Sequence, residues 1–121
     1  MSEIYSKRLI EVLNLVAADV DVQEAVFPNF VHIPDEVASE VAEVVEYASN
    51  EKDAVDAKII KVLASIDEIF LKHAGQEEFW TIDSMRENSN WHDIRLMARK
   101  ELARLKLPER VPDLFWLQYV Q

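Results

Sequence analysis

The sequence predicts an all-α fold, a compact bundle of four to five helices that includes an acidic antiparallel helical hairpin. Three observations predict it. Gly75 is the only glycine and there are only four prolines in 121 residues, too few turn residues for the many tight connections of an all-β domain. Apolar residues recur every three or four positions along most of the chain, the period of an amphipathic helix. The length suits one domain, residues 1–121, able to bury roughly two-thirds of its unfolded surface.

The first helix begins after Ser2, places Ile4, Leu9, Val12, Leu13 and Val16 on one face, and is expected to end near Val20. DVQEAVF can add one or two turns before Pro28. FPNFVHIP then reads as a connector that tucks Phe27, Phe30, Val31 and Ile33 under the domain. Pro34, followed by Asp35 and Glu36, opens the second main helix, with a buried stripe of Val37, Val41, Val44, Val45 and Ala48. Ser49 and Asn50 mark a short turn that sends the next helix, about Glu51 to His73, back antiparallel on an apolar face of Ala54, Ile59, Val62, Leu63, Ile66, Ile69 and Phe70.

Gly75 stands where a left-handed C-cap is expected. QEEFWTIDS fits either a helical turn or a short extended piece. Asn90 with Asp93 resembles a capping box for the helix WHDIRLMARKELARLKL, whose Ile94, Met97, Ala98, Leu102 and Leu105 face inward until Pro108 stops it. A proline-initiated apolar turn bearing Leu114, Phe115, Trp116, Leu117 and Tyr119 ends the sequence. Phe115, Trp116 and Tyr119 are expected to close the core, the alternative being that they anchor a partner or a second copy of the chain.

With no cysteine, disulfide scaffolds, thiolate metal sites and cysteine nucleophiles are excluded. The first residues, MSEIYSKRLIEVL, mix charge into their apolar positions, and no run reaches the roughly eighteen apolar residues of a membrane span. A cytoplasmic protein without membrane contact is the expectation. The formal charge of −10 is confined to one half: residues 1–56 hold 13 acids against three bases, whereas residues 57–121 hold ten of each. Between Glu11 and Asp56 stand 12 carboxylates and one lysine, a field that attracts cationic surfaces and repels phosphate backbones. Direct nucleic-acid binding is therefore not expected.

The densest part of this excess is DEVASEVAEVVEYASNEKD. Glu36, Glu40 and Glu43 fall within about 60° on a helix, with Glu46 flanking them, and so predict an exposed ridge. Like-charge neighbours cost roughly 0.2–0.5 kcal/mol each, about 1 kcal/mol for the ridge, which a domain stability of roughly 5–15 kcal/mol absorbs without any dedicated ligand. The bland expectation is thus a solvated face on a structural subunit. The functional one adds Glu51, Asp53 and Asp56 at the turn, making a patch that steers and seats the Arg and Lys side chains of a basic protein, such as a nuclease-type toxin neutralised by an immunity protein or antitoxin.

The same carboxylates support an enzyme reading. Glu40-x-x-Glu43-x-x-Glu46 with Asp53-x-x-Asp56 on an adjacent helix resembles the Mg²⁺-binding arrangement of the all-α nucleoside triphosphate pyrophosphohydrolases. The resemblance implies Mg²⁺-dependent hydrolysis of nucleotides. Ser39 stands where that family doubles its first Glu, and Asp53 replaces the Glu of its second motif. His32, His73 and His92 share no metal-ligand spacing, and His73 is placed to meet the last carbonyls of its helix. No cofactor or metal is expected on the leading reading. The strip Arg95, Arg99, Lys100, Arg104 and Lys106 is expected to be solvated, though its charge also admits a pairing with the acidic ridge, within the chain or in a homodimer.

Overall fold

Helix α1 (Glu3–Ala17) is the centre of the fold in the computed structural model, which describes residues 3–49 and 57–117. From Leu9 to Ala17 every residue of α1 except Ile10 is fully buried, Glu11 and Asn14 among them. Helix α6 (Ser89–Arg104) and helix α3 (Ile33–Ser49) pack against α1, and α4 (Ala57–Lys72) packs against both α3 and α6. Two short helices, α2 (Val20–Val26) and α5 (Ile82–Glu87), complete six among the described residues. The two beyond the predicted main helices come from DVQEAVF and from the ambiguous QEEFWTIDS. An all-helical bundle is thus the architecture. The turn expected to close the acidic hairpin, with Glu51, Asp53 and Asp56, lies outside the described residues, as does Tyr119.

Helix α1 stops at Ala17, before the predicted Val20, because Asp19 takes an extended backbone (φ −66°, ψ 157°) and begins α2. The last turn of α1 contains no basic residue. Arginines of α6 supply the missing donors: Arg99 Nε donates to the Ala17 carbonyl at 2.9 Å and Arg95 Nε to that of Ala18 at 3.3 Å. Cations at a helix C-terminus are favourable by roughly 0.3–1 kcal/mol, and by more when partly buried. Arg95 also donates to the Met85 carbonyl at 2.9 Å, and burial, reinforced by neighbouring Arg99, lowers its pKa. The predicted solvated basic strip is corrected at two positions, since Arg95 is buried and Arg99 pairs with Asp19 and Glu109, while Lys100, Arg104 and Lys106 are exposed as expected.

QEEFWTIDS folds as a 3₁₀ turn (Glu77–Phe79) followed by α5, with Thr81 as the N-cap accepting from the Ser84 amide at 3.0 Å. Its aromatics belong to the core: Phe79 stacks on Trp91 at 5.1 Å, and the Trp91 indole donates to the Phe79 carbonyl at 3.0 Å. His73 meets the end of its own helix as expected, with Nδ1 donating to the Ile69 carbonyl at 2.9 Å while its ring stacks on Phe79 at 4.1 Å. Gly75 has the left-handed φ of +82° expected of it. The α6 cap is Asn88, not Asn90: its side chain accepts from the Asn90 amide at 2.8 Å, whereas the Asn90 side chain donates to His73.

Helix α6 ends two residues before a left-handed Lys106 (φ 59°). The Leu107 amide donates to the Leu102 carbonyl at 2.9 Å and the Lys106 amide to that of Ala103 at 3.0 Å. These are the two bonds of a Schellman cap, with lysine where glycine is usual. Phe30, expected to tuck beneath the domain, is instead 58% exposed.

Candidate functional site

The outward face of α3 carries the predicted acidic residues, and the structure divides them. Glu43 and Glu46 are exposed and Glu36 is half-buried. Glu40 is 2% exposed, so the expected four-residue exposed ridge is corrected: its middle member belongs to the interior. Glu40 lies three residues after Val37 and four before Val44, both fully buried, so helical geometry places it within the valine stripe. That spacing was a signal available in the sequence.

Glu40 is held from two directions. The Trp116 indole donates to Glu40 Oε1 at 2.6 Å, and Arg8 Nη2 of α1 stands 3.5 Å from the same oxygen. Arg8 Nη2 also bonds Glu43 Oε2 at 2.7 Å, and its guanidinium lies over the Trp116 ring at 5.0 Å. One arginine thus bridges the two carboxylates whose mutual repulsion the helix would otherwise bear. Desolvation by burial raises the Glu40 pKa above its ordinary 4.5, with Glu43 and Glu36 adding to the rise, while the Trp116 bond and Arg8 oppose it.

Trp116 belongs to a strap, residues 105–117, that runs back over α1. A second clamp fixes it. Glu11, with no solvent exposure, accepts from both terminal nitrogens of Arg110 and from the Asp113 amide at 2.7 Å. Asn14 Oδ1 accepts from the Arg110 amide at 3.1 Å, and Lys7 lies over the Phe115 ring at 4.9 Å. The aromatics therefore close the core only in part: Trp116 packs against it beside Leu114 and Leu117, and Phe115 remains exposed. Arg8, Glu11, Arg110 and Trp116 are not legible as a set in the sequence, because their partners lie far along the chain: Glu11 and Arg110 are 99 residues apart, and Trp116 stands 76 residues from Glu40.

The exposed residues of α3 form an acidic face with one large aromatic. Asp35, Glu43 and Glu46 are exposed, and Tyr47, four residues after Glu43, is 44% exposed. Asp35 is joined to His32 Nδ1 at 2.7 Å. Of the carboxylates that Mg²⁺ coordination would recruit, Glu40 is buried and accepts from Trp116, and Glu43 is exposed and pairs with Arg8. Among the described residues no group of three or more His, Cys, Asp or Glu side chains is arranged to hold a metal. No helix among them is long and apolar enough to cross a membrane. Compared with family models, curated proteins and solved structures, the chain matches none.

Proposed function

We propose that this chain is a small cytoplasmic protein-binding module whose acidic α3 face blocks a basic protein surface, in the manner of an immunity protein or antitoxin that neutralises a nuclease-type toxin. The supporting observation is the exposure of Glu43, Glu46 and Tyr47 on one helix of a chain with net charge −10. Carboxylates about 5–6 Å apart along a helix offer Arg and Lys the contacts those side chains would make with phosphates, so occupation excludes nucleic acid from the partner. Tyr47 supplies the rigid, partly apolar anchor that a purely electrostatic contact lacks. Glu36 flanks the face, and the proposed patch takes in Glu51, Asp53 and Asp56, which follow α3 in the sequence.

Glu40 has a different part in this reading. Its bonds to Trp116 and its closeness to Arg8 hold α3, α1 and the strap in register, so it positions the face without contacting the partner.

The test begins with capture of basic proteins on the immobilised chain at low salt, followed by affinity measurement with each purified candidate. Glu43→Gln with Glu46→Gln, and Tyr47→Ala, should each weaken the interaction, and the charge component should fade as salt rises. A partner whose affinity ignores both the substitutions and the salt refutes the proposal. Mg²⁺-dependent turnover of nucleoside triphosphates by the purified chain would favour the pyrophosphohydrolase reading instead.

A further inference from the structure

Between α4 and α6 a groove of about 510 Å³ is lined, among the described residues, by Lys58, Lys61, Val62, Met97, Lys100 and Arg104, with Ser65 and Glu101 beside them. Its volume lies within the roughly 300–1,000 Å³ typical of small-ligand sites. Val62 and Met97, with the methylene stems of the lysines, make an apolar floor beneath a cationic rim. Among the described lining residues the carboxylate is Glu101, which is buried and already paired: Arg104 Nε and Nη2 donate to its two oxygens at 2.8 and 2.7 Å.

The rim is unusual for so acidic a chain. Lys61 has Ala57, Lys58, Ala64 and Ser65 at the helical neighbour positions, and Lys100 has Leu96, Met97, Ala103 and Arg104, so neither finds a carboxylate on its own helix. Lys61 of α4 and Lys100 of α6 line the same concavity, so an anion seated there meets a cation from each helix. The apolar floor requires that anion to carry an apolar body.

We infer that the α4–α6 groove binds a small carboxylate with an apolar tail, its head between Lys61 and Lys100 and its tail over Val62 and Met97. The overall charge of −10 narrows the choice further. A polyanion such as nucleic acid, or a second copy of this chain, meets long-range repulsion from the rest of the molecule, whereas a monoanion meets the least.

The full chain titrated with dodecanoate below its micellar concentration provides the test, read by the ¹³C-methyl resonances of the methionines. Met97 lines the groove and Met85 is buried in the core, so the two report on separate places. The Met97 signal should shift and saturate at one equivalent, Met85 should change less, and uncharged dodecanol should bind more weakly. Lys61→Gln with Lys100→Gln should weaken dodecanoate roughly tenfold without lowering the ligand-free Tm, since both side chains are exposed. Equal binding of dodecanol, undiminished affinity in the double variant, or shifts that spare Met97 would each overturn the inference. So would a homodimer that the double variant abolishes, because the groove would then be occupied by a second copy.

Discussion

Arg110→Ala removes the cation facing a carboxylate that has no solvent access. Glu11 would keep only the Asp113 amide as a donor, at 2.7 Å, and Asn14 would keep the Arg110 backbone amide. Breaking a buried ion pair by deleting one partner costs roughly 3–5 kcal/mol, most of it the penalty of the uncompensated charge. The Arg110 side chain is itself 45% exposed, so water can reach the vacated position, and one amide bond to Glu11 survives. The expected loss is therefore about 2–3 kcal/mol. At this chain length each kcal/mol moves Tm by about 3–5 °C, giving a fall of about 6–15 °C.

Thermal and urea unfolding followed by circular dichroism measure the loss, and tryptophan fluorescence reports whether the strap bearing Trp116 detaches first. The companion variant is Glu11→Met with Arg110→Ala, which removes the stranded charge as well. It should be more stable than the sum of the two single losses by about 1–3 kcal/mol. An Arg110→Ala loss below about 0.5 kcal/mol, the range of ordinary surface substitutions, would show that the clamp does not hold the strap, and strict additivity in the double variant would refute the coupling.

Glu40→Gln should change neutral-pH stability by no more than about 1 kcal/mol, because the amide oxygen still accepts from Trp116 while the desolvated charge is gone. The Glu40 pKa is raised on folding, so its contribution is fully present below the unfolded value of 4.5 and is lost as pH rises through the folded value. Wild type should therefore gain on Glu40→Gln as pH falls toward 4.5, a trend that paired urea melts across that window check and whose reversal would contradict the assignment. Lys106→Gly should stabilise by about 0.5–1 kcal/mol by removing the strain of a left-handed lysine, and Gly75→Ala should cost about 1 kcal/mol through backbone strain alone, since nothing lies within 4 Å of the added methyl. Asn88→Ala should cost about 1 kcal/mol as a lost helix cap, whereas His73→Phe should disturb Asn90 and leave the α6 cap intact; both are readable from Tm.

The helices were legible where one element's pattern was enough. Apolar spacing located α1, α3, α4 and α6, and the left-handed Gly75 followed from its place after an apolar run. Glu40 is legible too, since its place between Val37 and Val44 puts it in the buried stripe even though its charge favours the exposed ridge. Asn88 lost to Asn90 as a cap because both precede the same run and only the backbone bond distinguishes them.

By itself the sequence determined the helical class, the bulk of the apolar core and the confinement of negative charge to the first half, since composition and 3.6-residue periodicity are local properties. Only the tertiary structure decided what the interior charges meet. Glu11 lies in a buried stretch of α1 and Glu40 in the valine stripe of α3, and their partners Arg110 and Trp116 arrive on a strap that stands 99 and 76 residues further along the chain. Likewise Arg95 and Arg99 are partners of α1 rather than of solvent because α6 ends up alongside it. Burial and charge pairing across such separations depend on chain path, for which no spacing in the sequence stands as a signal.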